Sequence, residues 1–140
     1  MKDPLTDFPG YVLRRASSAM MAAFARDIEV LGLRTVEATI LQIIQENSGI
    51  SQSALGRLLD IQRANMTPIA ARLEARGLVR RIPSDGRSLG LELTDMGRDF
   101  AQQIRCRVEA FEAEVFAAVA PEHRPHLLPA LRAIWQRFGT

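Results

Sequence analysis

Apolar residues recur at helical spacing through most of this 140-residue chain. From Gly10 to Leu31 the residues Leu13, Met20, Phe24, Ile28 and Leu31 keep to one helix face, with Ser17 filling the position between the first two. They predict a first helix of about six turns at 3.6 residues each. That is longer than a small three-helix lobe needs, and surplus helix points to a partner. Residues 1–9, with Pro4 and Pro9, read as an arm or an ordered extension. Gly32 breaks the pattern, and Thr35 to Gln45 predicts a second helix whose Val36, Ile40, Leu41, Ile43 and Ile44 are apolar on more than one side, so it should be buried. Asn47-Ser48-Gly49 is a turn and Ser51 a helix cap. Gln52 to Leu59 follows as a short helix with Leu55, Leu58 and Leu59 inward.

The next stretch changes period twice. Gln62 to Arg76 places Met66, Ile69, Ala70 and Leu73 on an inner face and Arg63, Asn65, Thr67 and Arg72 elsewhere. Gly77 ends that helix. Residues 78–82 and 89–94 read as two strands, the second alternating Leu89, Leu91 and Leu93 with Gly90 and Glu92, around a turn at Pro83-Ser84-Asp85-Gly86-Arg87-Ser88. Two short helices joined by a tight turn, then a hairpin, form a winged helix-turn-helix. Thr94 can cap a long helix striped by Phe100, Ile104, Val108, Phe111, Val115 and Val119. Pro121 restarts the chain into a last helix with Leu127, Leu131, Ile134 and Phe138, flanked by Leu128 and Trp135. The expected fold is mainly α with a small β-wing. Residues 33–97 would form the DNA-binding lobe, and residues 1–32 and 98–140 a helical dimerisation region; the competing reading is an ordinary helical core in a monomer.

With 47% hydrophobic residues the chain can bury a core. Its 18 Lys and Arg against 16 Asp and Glu leave a formal charge of +2, so distribution matters more than total. Between Arg57 and Arg87 stand Arg57, Arg63, Arg72, Arg76, Arg80, Arg81 and Arg87 against only Asp60, Glu74 and Asp85. Such a local surplus on a helix and hairpin suits a polyanion. A single cysteine, Cys106, excludes an internal disulfide and a cysteine-based zinc site. Met1-Lys2-Asp3-Pro4 has no signal-peptide core and no apolar run approaches bilayer length, so a soluble, cytoplasmic protein is expected. His123 and His126 are separated by Pro125 and a pair does not close a zinc site; no metal or cofactor is expected. Nucleophile-elbow, phosphate-loop and paired-carboxylate spacings are missing from the sequence, which argues against an enzyme.

The run Asp85-Gly86-Arg87-Ser88-Leu89-Gly90-Leu91-Glu92-Leu93-Thr94-Asp95-Met96-Gly97 resembles the wing signature of the MarR family, an Asp, an Arg two residues on, a strand ending Leu-Thr, and Gly three past the Thr. Arg72-Leu73-Glu74-Ala75-Arg76-Gly77-Leu78-Val79 is similar to the family's junction between recognition helix and first wing strand. Both at this spacing, between long helices, make the resemblance chain-wide. It implies a homodimeric DNA-binding repressor or activator, with a repressor the favoured reading, responsive to a small organic anion such as an aromatic or phenolic acid or its CoA thioester; two reading heads per dimer predict a pseudo-palindromic operator. Three positions depart from the pattern. Ala54 cannot close a capping box with Ser51, Gln62 is a poor cap after the tight turn at Asp60, and Pro68 falls inside the recognition helix. Either that helix starts near Ala64 or it kinks.

By position, Arg63, Asn65, Thr67 and Pro68 would meet base edges, while Gln52, Ser53, Arg57, Arg72, Arg80 and Arg81 would meet phosphates. Arg87, beside Ser88 at the wing tip, suits the minor groove; Asp85 either holds the tip or is a plain turn former. For the effector implied by the resemblance, Arg14 and Arg15 could supply counter-charge, Met20, Met21 and Phe24 an apolar wall, and Ile40 and Ile44 the facing side, although such residues are commonly core. Cys106 between Arg105 and Arg107 offers a redox-sensing alternative, against which stands the reading of a small buried hydrophobe. A constitutive architectural DNA-binding protein and a protein-binding winged helix are the remaining alternatives.

Overall fold

A small antiparallel sheet locates the centre of the lobe. The computed structural model of the chain describes residues 1–84 and 89–139, and divides into two units, residues 1–107 and 108–140. In the first unit, α1 (Pro9–Glu29) starts on proline, where the missing N–H costs nothing. Only Ile28 of its apolar stripe is buried within the chain. The helix α2 (Thr35–Glu46) is the central one, burying Ala38, Ile40, Leu41 and Ile44 together with one charged residue, Glu37. A two-residue strand, β1 (Ile50–Ser51), was not foreseen.

Helix α3 (Gln52–Leu59) begins as expected: the Ser51 hydroxyl accepts from the Ala54 N–H at 3.1 Å. Ser51→Ala should therefore reduce the unfolding free energy in urea by about 1 kcal/mol, and an unchanged midpoint would remove the cap from the account. Leu55 is fully buried, but Leu58, expected inward, is 63% exposed. The buried face is centred between Leu55 and Gly56, and at roughly 100° per residue Leu58 falls well to one side of it. Asp60 ends the helix in the left-handed region, φ 53° and ψ 43°.

Helix α4 (Arg63–Ala75) buries Met66, Ala70 and Leu73, with Gln62 at its start giving no side-chain cap. It starts at Arg63, one residue before Ala64, and carries Pro68 inside it. The Ala64 carbonyl receives no N–H from that proline, but Ala64 is exposed, where solvent can take the bond. Gly77 at φ 72° turns the chain into β2 (Val79–Pro83), which pairs with β3 (Leu89–Leu93) from Val79↔Leu93 to Pro83↔Leu89. The unforeseen β1 pairs with the other edge of β3 through Ile50↔Leu91, giving the order β1-β3-β2.

Helix α5 (Asp95–Ala118) is capped by Thr94, whose hydroxyl accepts from the Gly97 N–H at 3.0 Å. Its first half buries Gly97, Ala101 and Ile104. In the second unit the end of α5 leads through a 3-10 turn, Pro121–His123, into α6 (Arg124–Phe138). The Arg124 guanidinium closes that turn by donating to the Phe116 and Val119 carbonyls at 2.8 and 2.9 Å. No residue of α6 is buried; Leu128, Leu131, Ile134, Trp135 and Phe138 are exposed. Among the described residues no helix is long and apolar enough to cross a membrane.

Candidate nucleic-acid interface

The turn between α3 and α4 sets the geometry of the reading face. Left-handed Asp60 lets the Ile61 N–H reach the Gly56 carbonyl at 2.8 Å, so the two helices meet across a three-residue connection. A shallow groove of about 320 Å³ opens between them, with Gln52, Ser53, Arg57 and Arg63 on its rim and the Met66 side in its floor. Four of the residues expected at DNA are thereby brought together. Arg63, Asn65, Thr67 and Pro68 are all exposed along the first turns of α4. Among the described residues, no carboxylate pairs with Arg57 or Arg63.

Four other arginines of the basic stretch, Arg72, Arg76, Arg80 and Arg81, have partners within the lobe that local charge does not show. Arg72 lies 3.4 Å from Glu37 of α2, whose side chain is 2% exposed. Arg80 pairs with Glu92 across the hairpin. Arg81 donates to Glu74 at 2.9 Å and to the Gln52 side-chain carbonyl at 3.2 Å. Arg76 donates to the Gly32 and Leu31 carbonyls at 2.5 and 3.3 Å and sits 5.7 Å from the Phe100 ring centroid. Three arginines expected at phosphates, Arg72, Arg80 and Arg81, thus each face a carboxylate. Glu37 and Glu92 lie outside residues 57–87, so only the fold brings them to these arginines. Asp85, Arg87 and Ser88 lie outside the described residues.

The residues expected at an effector pocket separate into two groups. Arg14 and Arg15 are exposed and stand 5.3 and 5.9 Å from the Tyr11 ring centroid. The Tyr11 hydroxyl donates to Asp3 at 2.5 Å; that bond, with one from the Leu5 N–H, holds the Asp3 carboxyl below its ordinary range. Met20 and Phe24 are half-buried and Met21 is exposed. Ile40 and Ile44, by contrast, are each 1% exposed in the core. They belong to the buried face of α2 together with Ala38 and Leu41, as the core reading has it. Cys106 is exposed on α5, not a buried hydrophobe, and Arg107 turns away from it to Asp27 at 2.9 Å. His123 and His126 are exposed in the second unit.

Comparison with known proteins agrees with this architecture. A family model described as the MarR family matches residues 33–89. The putative transcriptional regulatory protein for the hcr operon of Thauera aromatica is 30% identical over 131 residues, covering 91% of this chain and 79% of that protein. The transcriptional repressor Rv2887 of Mycobacterium tuberculosis is 31% identical over 118 residues, 82% of this chain and 85% of its own. Among solved structures, a MarR family regulator from Rhodococcus sp. RHA1 shares the fold at TM-score 0.82 and 22% identity, covering 99% of this chain and 100% of that one. Rv2887 in complex with salicylic acid gives 0.72 at 27% identity, covering 95% and 97%. The winged helix-turn-helix described above and these relatives together establish that the chain belongs to the MarR family of transcriptional regulators.

Proposed function

We propose that the chain is a sequence-specific repressor that binds double-stranded DNA as a homodimer and is released by a small aromatic acid. The observation that carries the DNA reading is the exposed start of α4, with Arg63, Asn65 and Thr67, and Arg57 across the groove from it; among the described residues neither guanidinium has a carboxylate partner. Arg63 can donate two bonds to guanine and Asn65 can pair bidentately with adenine in a major groove wide enough for a helix. Ser53 and Arg57 take phosphates, which set register without carrying sequence. Arg87 and Ser88 extend the contact along the minor groove. Arg72, Arg80 and Arg81 have carboxylate partners and are assigned to holding the lobe.

Homodimerisation is supported by the apolar residues that each unit leaves exposed, Val12 and Met21 on α1 and Leu131, Ile134, Trp135 and Phe138 on α6. Release by an aromatic acid is supported by Rv2887, which has been crystallised with salicylic and p-aminosalicylic acids. Arg14 and Arg15 would supply counter-charge and Met20, Met21 and Phe24 apolar surface. The ligand would act through unequal affinity for the DNA-competent and incompetent arrangements of the dimer.

Selection of binding sites from randomised double-stranded DNA tests the reading. A pseudo-palindrome with half-sites about 10 base pairs apart, or a multiple of that, is expected. Arg63→Ala and Asn65→Ala should each relax one base position by about 1–3 kcal/mol, whereas Arg57→Ala should weaken all sequences alike. No enriched sequence, or an asymmetric single site, would contradict the proposal. Adding salicylate should lower DNA affinity; no response to a panel of aromatic acids would remove the effector from it.

A further inference from the structure

A chain of hydrogen bonds behind the reading face has its direction dictated by donor chemistry. It begins at Arg81 on β2, whose guanidinium donates to Glu74 at 2.9 Å and to the Gln52 side-chain oxygen at 3.2 Å. Gln52, at the start of α3, reaches Thr67 on α4 at 3.0 Å with its amide nitrogen. Thr67 Oγ1 in turn lies 3.0 Å from the Arg63 carbonyl. Arginine has no acceptor, so the amide of Gln52 must turn its oxygen to Arg81 and its NH₂ to Thr67. An NH₂ only donates, so Thr67 must accept there. A carbonyl only accepts, so the single Thr67 proton is committed to Arg63. One lone pair on Oγ1 is then left for anything else, and no proton.

Resting on the reading of α4 as the helix that enters the major groove, we infer that Thr67 is a specificity-determining residue that acts as an acceptor alone. It selects an amino-bearing base, adenine or cytosine, on the strand it faces. Adenine N6 and cytosine N4 are the major-groove donors, whereas guanine and thymine offer only acceptors at the corresponding positions. Gln52 and Arg81 are positioning residues for that choice. Neither needs to touch the base, and this replaces the phosphate contact read for them from sequence. Without the Gln52 NH₂ or the Arg81 guanidinium that orients it, the Thr67 hydroxyl keeps the Arg63 carbonyl as its acceptor but loses the bond that fixes its rotamer, so its free lone pair is no longer aimed at one base. Discrimination between amino and keto bases would then fall.

The experiment is binding-site selection on randomised double-stranded DNA with the full chain and with Thr67→Val, Thr67→Ser, Gln52→Leu and Arg81→Met. The wild type should prefer adenine or cytosine at one position of each half-site by roughly three- to tenfold, the worth of one hydrogen bond. Thr67→Val should erase that preference and Thr67→Ser keep it. Gln52→Leu and Arg81→Met should relax the same position while the other positions of the site hold. A lost packing contact would instead lower affinity for every sequence without moving one position. Thr67 is exposed, so Thr67→Val decides the matter even where a Gln52 or Arg81 variant fails to fold. Unchanged base preference in Thr67→Val, a keto base at the position it alters, or full preference in folded Gln52→Leu and Arg81→Met would overturn the inference. Failure of the wild type to enrich any sequence would instead overturn the DNA-binding proposal beneath it.

Discussion

Gly97→Ala is expected to lower the unfolding free energy by about 3 kcal/mol or more, the upper end of what one added methyl does in a packed site. A Cβ at Gly97 would lie 1.9 Å from the Leu78 carbonyl oxygen and 2.9 Å from its carbon, with the Leu93 Cβ at 3.3 Å. The obstacle is backbone, and it is held from the other side. The Leu78 carbonyl accepts from the Thr94 N–H at 3.1 Å, and Leu78 itself is 1% exposed. In an open helix the same substitution would stabilise by about 1 kcal/mol, because alanine is the better helix former. The sign of the change therefore tests the packing. Urea unfolding with a raised or unmoved midpoint would contradict the contact. This also explains why the wing signature ends on glycine three residues after threonine: Thr94 caps α5 while Gly97 lets that helix lie against the start of the wing.

Arg72→Met is expected to cost about 2 kcal/mol, less than the full penalty for breaking a buried ion pair because Arg72 is itself 44% exposed. What it leaves behind is the Glu37 carboxylate, 2% exposed, with Oε2 making no hydrogen bond and Oε1 accepting only a 3.3 Å bond from the Arg34 N–H. Removing both charges should restore most of the loss, since the damage lies in the orphaned carboxylate. The double variant Glu37→Gln/Arg72→Met is thus expected to be more stable than Arg72→Met alone. A double-mutant cycle in urea reads this directly, and strictly additive losses would refute the coupling. The pair also ties the recognition helix to the central helix of the core, so folded Arg72→Met should bind DNA less well without changing which bases it prefers.

The parts of the fold written in local periodicity were legible in the sequence. The stripe of Met66, Ala70 and Leu73 marks the inner face of α4, Gly77 and Asp60 mark the two turns, and Ser51 and Thr94 mark the caps. The strand β1 was not legible, because two residues have no period and Ile50 is a strand only by pairing with Leu91. Charge was the other failure. Neighbours in sequence are not neighbours in space: Glu37 and Glu92, which take up Arg72 and Arg80, lie outside residues 57–87. The α2 pattern, apolar on several sides, already indicated burial, and Ile40 and Ile44 followed that rule and not the pocket assigned to them. Exposed α1 and α6 residues could be read as apolar from sequence, but not as uncovered in a single chain.

If the arginines of the lobe divide into those that face DNA and those that hold the fold, the salt dependence of binding to a selected operator measures that division. For the wild type, log affinity should fall linearly with log salt, and Arg57→Ala should flatten the slope by about 0.9, one phosphate released. Arg72→Met, folded and weaker, should keep the wild-type slope. Salt-independent binding, or a slope for Arg72→Met as shallow as that of Arg57→Ala, would contradict the division.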